Sequence, residues 1–324
     1  MILFLFSFFS LINAFNINMC SEKPPPLWNA LSNNLKNTAR NWFIDRAKKS
    51  GIDWDYLVEK NNYKKNRLEY LKDISTDYTM VYPTYYTQPF HGYDDGNLNW
   101  LAALEGEAAT INMAVGYWKQ INPLVTQEWL RYNVSKNIKQ YLNNSSLISQ
   151  PKNILDVGCS VGISSEFLFK SFRQSHITGI DLSPYFIAMA KLRAEEYDFP
   201  ITYFHRNAED TKFDNNKFDL IVCNFIMHEL PEKATNNILN ELYKKLTIGG
   251  TLAIVDLSPV ELNKDDFFVS KFKKWAFEVT EPHIYGYYNR NMTSLLSDSG
   301  FINIQEIKND PMNSIWVGSK PSPY

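Results

Sequence analysis

Residues 153–163 read NILDVGCSVGI: an apolar run broken by one acid, then two glycines four positions apart, then residues that open a helix. Ile154–Val157 has the length and character of a buried strand, and the residues from Ile163 to Phe172 those of a helix. The glycines therefore lie on the turn between them. Glycine at 158 lets the backbone approach a bulky ligand with no Cβ in the way, and Gly162 permits a tight entry into the helix. The same texture repeats downstream. Strands are expected at His176–Ile180, Ile201–His205, Phe218–Asn224 and Thr251–Asp256, the third a largely apolar run, as when both sheet faces are covered, and the last another buried strand. Helices are expected at Pro184–Tyr197, Pro231–Leu246 (opened by Pro231 and closed near Gly249-Gly250), Phe267–Val279 and Asn291–Ser299. Phe301–Ile307 and Ser314–Val317 read as a closing antiparallel hairpin. Repeated strand–helix units predict a Rossmann-like α/β fold: a seven-stranded, doubly wound, mostly parallel sheet.

Upstream the texture differs. Leu27–Leu71 is polar with aromatic and aliphatic residues at helical spacing and predicts two or three helices. Residues 82–100, YPTYYTQPFHGYDDGNLNW, mix Pro83, Pro89, Gly92 and Gly96 with tyrosines, Phe90 and Trp100. That is a loop whose side chains both stack and hydrogen-bond. Leu101–Val115 and Gln127–Leu142 predict two more helices, and a Ser/Asn-rich linker ends at Pro151. Residues 21–150 are thus expected to form a helical cap with an aromatic lid loop, and 151–324 the α/β domain. Residues 1–15, MILFLFSFFSLINAF, are too short for a comfortable membrane span and long enough for a signal-peptide core. With Phe15 after a cut at Ala14, residues 1–20 resemble leaders routed through the endoplasmic reticulum to plastids of secondary origin. A buried helix or an anchor is the alternative reading of the segment, and the cytoplasm the alternative compartment.

Composition narrows the function classes. Of 324 residues, 44% are apolar and 21% charged, which supports a sizeable core and excludes disorder throughout. A net charge of −2, with 33 basic residues spread along the chain, gives no support to nucleic-acid binding through phosphates. Cys20, Cys159 and Cys223 form no CxxC and no metal spacing, so neither a disulfide scaffold nor a metal site is expected.

The acid–glycine turn has three readings. One is a dinucleotide site, hence an NAD(P)-dependent oxidoreductase. Its fingerprint is G-x-G-x-x-G, however, and here Ser160 stands for the middle glycine and Ile163 at the third position. Asp156, placed before the glycines and expected to face the ligand, suits a cationic partner such as a sulfonium-bearing amino acid better than a pyrophosphate. Asp181 ends the next strand, where a carboxylate can accept both hydroxyls of a ribose. A third reading is a non-catalytic protein that keeps such a fold for assembly.

LDVGCSVG, the acid in GIDLSP, NAED, FDLIVCNFIMHELP and LTIGGTLAIVD, in this order over about residues 152–319, resemble the successive motifs of class I S-adenosylmethionine-dependent methyltransferases. Within them the chain is most similar to the small-molecule group of ubiquinone and menaquinone methyltransferases. Its block PFHGYDDGNLNW resembles an uncharacterised branch of cyanobacteria and plastids. The resemblance implies S-adenosylmethionine as methyl donor. By position, Asp156, Gly158, Cys159 and Gly162 would line its methionine part and adenosine, Asp181 its ribose hydroxyls, and Leu182, Asn207 and Ala208 its adenine. Asn224 and Phe225 would sit beside the transferred methyl.

The acceptor side is read from residue chemistry. Asn224-Phe225-Ile226-Met227 lacks the Asn/Asp-Pro-Pro-Tyr of base-amine and glutamine methylation, and no cysteine stands where RNA carbon methylation needs one. Asp256 alone is too little for metal-assisted O-methylation. His228, just past the fourth strand, has an ordinary pKa suited to a base. His91, with Tyr86, Tyr93, Asp94 and Trp100, is expected to form the lid over a small, lipophilic or aromatic acceptor. Such an acceptor would allow peripheral membrane association. His205 reads as structural, and His283 is placed at the pocket border.

Overall fold

A computed structural model describes residues 28–116, 122–262 and 281–322. The polar-aromatic N-terminal stretch forms three helices, α1 (Trp28–Lys49), α2 (Trp54–Asn62) and α3 (Lys65–Ser75). The Asp53 carboxylate caps α2 by accepting from the Tyr56 amide. Turns carry the chain to α4 (Trp100–Val115), capped in the same way by Asn99, and α5 (Pro123–Ser145) starts with proline in its first turn.

Strands and helices then alternate: β1 (Asn153–Val157), α6 (Ile163–Ser171), β2 (His176–Asp181), α7 (Pro184–Tyr197), β3 (Ile201–His205), β4 (Phe218–Asn224), α8 (Glu232–Lys245) and β5 (Leu246–Leu257). One 3-10 turn, Met227–Glu229, follows β4. The short helices α9 (Pro259–Leu262), α10 (Ile284–Tyr287) and α11 (Met292–Asp298) precede β6 (Ile302–Lys308) and β7 (Asn313–Ser319). The seven-stranded sheet runs β3-β2-β1-β4-β5-β7-β6, with β7 antiparallel to both β5 and β6, as expected from sequence. Strand order reverses between β1 and β4, and the crevice beyond the carboxyl ends of these strands is where such sheets take ligands.

Two expectations are corrected. Gly249-Gly250 do not stop a helix but lie inside β5, where Gly249 adopts φ +75° and the register against β4 slips between Phe218 and Leu220. Helix α8 ends earlier because Leu246 already has extended backbone and pairs with Phe218. Helix α5, placed with the cap by its position before Pro151, packs on the sheet as well as against the cap helix α4. Val134, Ile138, Tyr141 and Leu142 share a core with Ile154, Leu220, Val255 and Val317, and the Tyr141 hydroxyl donates to the Asn303 carbonyl at 2.9 Å. An apolar helix face must be buried against something, and the sheet face is the larger apolar surface.

Helices α3 and α4 sit over the carboxyl ends of the strands: Leu68, Leu71, Ala102 and Ala103 pack against Val161, Ile163, Phe186 and Met189 at the starts of α6 and α7. The buried Arg193 guanidinium ties cap to sheet domain, pairing with Glu107 at 2.9 Å and Glu166 at 2.7 Å. The expected leader at residues 1–20, the expected helix Phe267–Val279 and Cys20 lie outside the described residues. Among the described residues no helix is long and apolar enough to cross a membrane.

Candidate active site

A cavity of about 550 Å³ opens at the carboxyl ends of β1, β2 and β4 and continues under the cap, where Tyr85, Tyr86, Phe90 and Trp42 line it. Its floor is the glycine turn. The Gly158 and Cys159 amides both donate to the Ile180 carbonyl, at 2.9 and 3.0 Å, which curls the turn over β2. Gly158 has φ +69°, and a Cβ there would run into Ile226 Cγ2. Gly162 has φ +89°, but it faces the protein, where a Cβ would stand 2.8 Å from the Tyr203 hydroxyl. Gly162 is therefore required by packing and does not line the cavity. Cys159 does line it, buried, with burial pushing its thiol up and away from thiolate chemistry.

Asp156 corrects the sequence expectation. Successive strand residues face opposite ways, so Val157 lines the cavity while Asp156 points behind it, fully buried. There it accepts from the hydroxyls of Ser164 and Ser165 (2.6 Å for Ser165) and from Asn224 Nδ2 at 3.3 Å. Asp156 thus aims Asn224 into the cavity. Asn224 itself is buried, and among the described residues its Oδ1 has no hydrogen-bond partner. Phe225, at φ +57°, also lines the cavity.

Asp181, at the tip of β2, lines the cavity as expected. Its carboxylate accepts from the Ser160 amide at 2.9 Å and the Ser183 amide at 2.8 Å, which ties the β1 turn to the β2 turn. Burial pushes its pKa up and outweighs these amides, leaving it at about 6. Leu182, Asn207 and Ala208 border the same end of the cavity. His205 is structural: its Nδ1 accepts from the Asp77 amide at 3.0 Å, so Nε2 carries the proton toward the Leu182 carbonyl, also at 3.0 Å. This ties the turn at Asp77, ahead of the lid loop, to the residue after Asp181, and the Tyr82 hydroxyl at the start of the lid loop lies 3.2 Å from the same Nε2.

The opposite end holds two histidines and three acids. His228 Nδ1 lies 2.6 Å from Asp256 Oδ1, while Asp256 Oδ2 accepts from the amides of Met227 (2.8 Å) and His228 (3.3 Å). Burial pulls the His228 pKa down, but the charge and hydrogen bond of Asp256 outweigh it and raise the pKa to about 9. His228 is therefore an imidazolium at neutral pH, not the free base expected from an unperturbed histidine. His91 lines the cavity with its Nε2 at 3.1 Å from Glu281 and 3.5 Å from Glu229. Burial lowers its pKa too, and the two acids raise it to about 9.

The lid residues divide. Tyr86 and Tyr93 line the cavity. The Tyr93 hydroxyl is committed to Glu105, which also pairs with Arg40 and accepts from Trp54 Nε1 at 3.3 Å. Asp94 is exposed and outside the cavity wall, because the Phe90–Tyr93 bridge turns it to solvent. Trp100 is also outside it: its Nε1 donates to Glu69 at 2.7 Å and its ring packs edge-on against Tyr185 at 5.0 Å, so it joins α3, α4 and α7. His283 is not part of the wall; its ring packs edge-on against Tyr85 at 6.3 Å. Sequence reasoning missed Glu229, Glu281 and Glu105 as wall residues and Asp256 as the partner of His228. Glu229 is adjacent to His228 and Asp256 ends a strand neighbouring β4, so both carried a signal, whereas Glu281 and Glu105 reach the cavity only through the fold. Among the described residues no cluster of His, Cys, Asp or Glu has metal-binding geometry.

Residues 154–250 match a family model described as a methyltransferase domain. The chain is 28% identical over 113 residues to a demethylmenaquinone methyltransferase of Listeria welshimeri, covering 34% of this chain and 47% of that protein. It is 30% identical over 110 residues to an uncharacterised methyltransferase of Synechocystis, with 34% and 49% covered. The chain spans about half the length of these curated relatives. A solved structure from Methanococcus maripaludis, assigned as an S-adenosyl-L-methionine-dependent methyltransferase, has the same fold: TM-score 0.51 at 16% identity, over 70% of this chain and 95% of that one.

Proposed function

This chain carries a class I S-adenosylmethionine-dependent methyltransferase domain, and from that premise we propose that it transfers a methyl group to a small, lipophilic or aromatic acceptor. The observation that carries the reading is a single cavity that joins Gly158, Asp181 and Asn224 to the aromatic lid. These residues fit the donor. Among the described residues the Asn224 Oδ1 is a buried acceptor lacking a donor, which suits an ammonium; Asp181 suits paired ribose hydroxyls; Gly158 lines the cavity floor between them. When bound, S-adenosylmethionine supplies an activated methyl group on a sulfonium.

The protein's own contribution is alignment and exclusion of water. Asp181 holds the turns of β1 and β2 together, Asp156 orients Asn224, and the lid closes the acceptor end. Holding reactants in line is worth about 7–11 kcal/mol of barrier, more than a general base supplies. The quinone named in the Listeria relative supports a flat, apolar acceptor here, and a lipophilic acceptor would bring the protein to a membrane surface. Calorimetry with S-adenosylhomocysteine and with NADH tests the reading. S-adenosylhomocysteine should bind wild type and not Asp181→Ala; binding of NADH alone would make the protein an oxidoreductase instead.

A further inference from the structure

The acceptor end of the cavity contains more chemistry than alignment needs. Glu229 lies on the 3-10 turn just after Asn224, Phe225 and Ile226, and it lines the cavity with them. That turn is held from both sides: Asp256 takes the Met227 and His228 amides, and Arg290 donates to the Met227 carbonyl at 2.7 Å and the Leu230 carbonyl at 3.1 Å. A side chain on such a turn keeps its place during a reaction. Across the cavity, the lid presents His91 from a left-handed backbone position, φ +53°, closed by the Phe90–Tyr93 bridge. A non-glycine residue there is strained and is kept only where surrounding contacts hold it. His91 Nε2 makes its shorter contact, 3.1 Å, to Glu281 and its longer one, 3.5 Å, to Glu229.

Among the described residues, two polar atoms beside this group have no partner. Glu281 is buried and its Oε2 accepts nothing; the Tyr86 hydroxyl is buried and unbonded, and both residues line the cavity. Buried polar groups without partners mark a place for a ligand's own polar group. An acceptor oxygen of Glu281 calls for a donor, and the flanking rings of Tyr85, Tyr86 and Phe90 call for a flat molecule.

We propose that Glu229 is the residue that takes the acceptor's proton during methyl transfer, that His91 and Glu281 position it, and that the nucleophile is an aromatic hydroxyl. The proposal rests on the methyl-transfer reading above. The hydroxyl proton passes to the Glu229 carboxylate, giving a neutral carboxylic acid. The hydroxyl oxygen's electron pair forms the bond to the methyl carbon, and the bond from that carbon to sulfur breaks with its pair left on sulfur. One anion and one sulfonium become a neutral acid and a neutral thioether, so the charge balances.

Glu229 suits this role where the histidines do not. His228 is engaged at Nδ1 by Asp256 and stays protonated, and His91 lies between two carboxylates. Among the described residues the charged and titratable groups around Glu229 are His91 and Tyr86 from the lid, Glu281 ahead of α10, His228 on its own turn, Asp256 from β5 and Arg290 behind the turn. Burial pushes the Glu229 carboxyl above the ordinary carboxylate range while the two histidines pull it back, and a carboxylate raised in this way holds a proton better than an exposed one.

The test uses the full chain with methyl-labelled S-adenosylmethionine and three probes: catechol, 1-naphthol and 1,4-naphthohydroquinone. Wild type is expected to methylate at least one. Glu229→Gln should lower kcat by about 10²–10⁴-fold, remove the acidic limb of the kcat profile against pH, and leave S-adenosylhomocysteine binding unchanged by calorimetry. Glu281→Gln should raise the KM for the probe while keeping that limb. Glu229→Asp, whose carboxylate is one methylene short, should retain the limb at reduced kcat; it carries the test if the glutamine variant does not fold. Failure of wild type to methylate any probe while S-adenosylhomocysteine binds, a loss under about tenfold in Glu229→Gln, or persistence of the acidic limb there overturns the proposal. Failure of wild type to bind S-adenosylhomocysteine would instead sink the methyl-transfer reading.

Discussion

Replacing Gly158 by alanine should destabilise the protein through two separable terms. The first is backbone: at φ +69° an L-residue pays about 1–2 kcal/mol that glycine does not. The second is steric. The new Cβ would overlap Ile226 Cγ2, and forcing an extra carbon into a packed site costs about 1–3 kcal/mol. Together Gly158→Ala should cost about 2–5 kcal/mol. Shortening Ile226 to alanine removes the atom in the way but leaves the backbone term. In the Ile226→Ala background the same glycine replacement should therefore cost only about 1–2 kcal/mol, a coupling of about 1–3 kcal/mol. Urea unfolding of wild type, both single variants and the double variant measures that cycle, provided the m-values agree. S-adenosylhomocysteine calorimetry on the same four proteins should show affinity lost in Gly158→Ala and partly regained in the double variant. An equal cost of Gly158→Ala in both backgrounds would refute the idea that Ile226 crowds the glycine turn.

Three further expectations follow from the site. Asp181 has its pKa raised by burial to about 6, so S-adenosylhomocysteine should bind independently of pH above that value and more weakly as the carboxylate protonates below it; the same raised pKa means Asp181 makes the free protein less stable as pH climbs from about 4 to about 6. Calorimetry across pH checks the first part, and Asp181→Asn should abolish the dependence. His228 is raised to about 9, so the stability it contributes is complete below its unfolded pKa of about 6.5 and is lost as pH rises through about 9; Asp256→Asn should flatten that loss of urea midpoint. Asp94→Ala should leave cofactor binding and turnover unaltered, whereas Trp100→Phe, which loses the hydrogen bond to Glu69, should cost about 1 kcal/mol of stability without changing cofactor affinity.

The strands and their order were legible because an apolar run between turn residues identifies a covered strand whatever surrounds it. The strands read as Ile201–His205 and Phe218–Asn224 stand at those same residues. The carboxyl-end glycine and acid were legible for a related reason: Gly158 and Asp181 end adjacent strands, and a parallel sheet brings such ends together. Asp156 was misread because its place in the chain next to Val157 says nothing about which face it takes once two serines of α6 compete for its carboxylate. Asp94 was misread because a loop has no period from which side-chain direction can be inferred, and Trp100 because it opens α4 instead of ending the loop.

What the chain alone determined is therefore the local part: the alternation of strand and helix, the glycine turn, and the acid at the end of β2. These depend on backbone conformation and apolar periodicity, which act over a few residues. Only the tertiary structure decided the protonation of the acceptor end. His91, Glu229, Asp256 and Glu281 come from four separate segments, and each one's charge is set by burial and by partners far away in sequence. Electrostatic energy depends on distance through space and on the exclusion of water, and neither exists until the chain has folded.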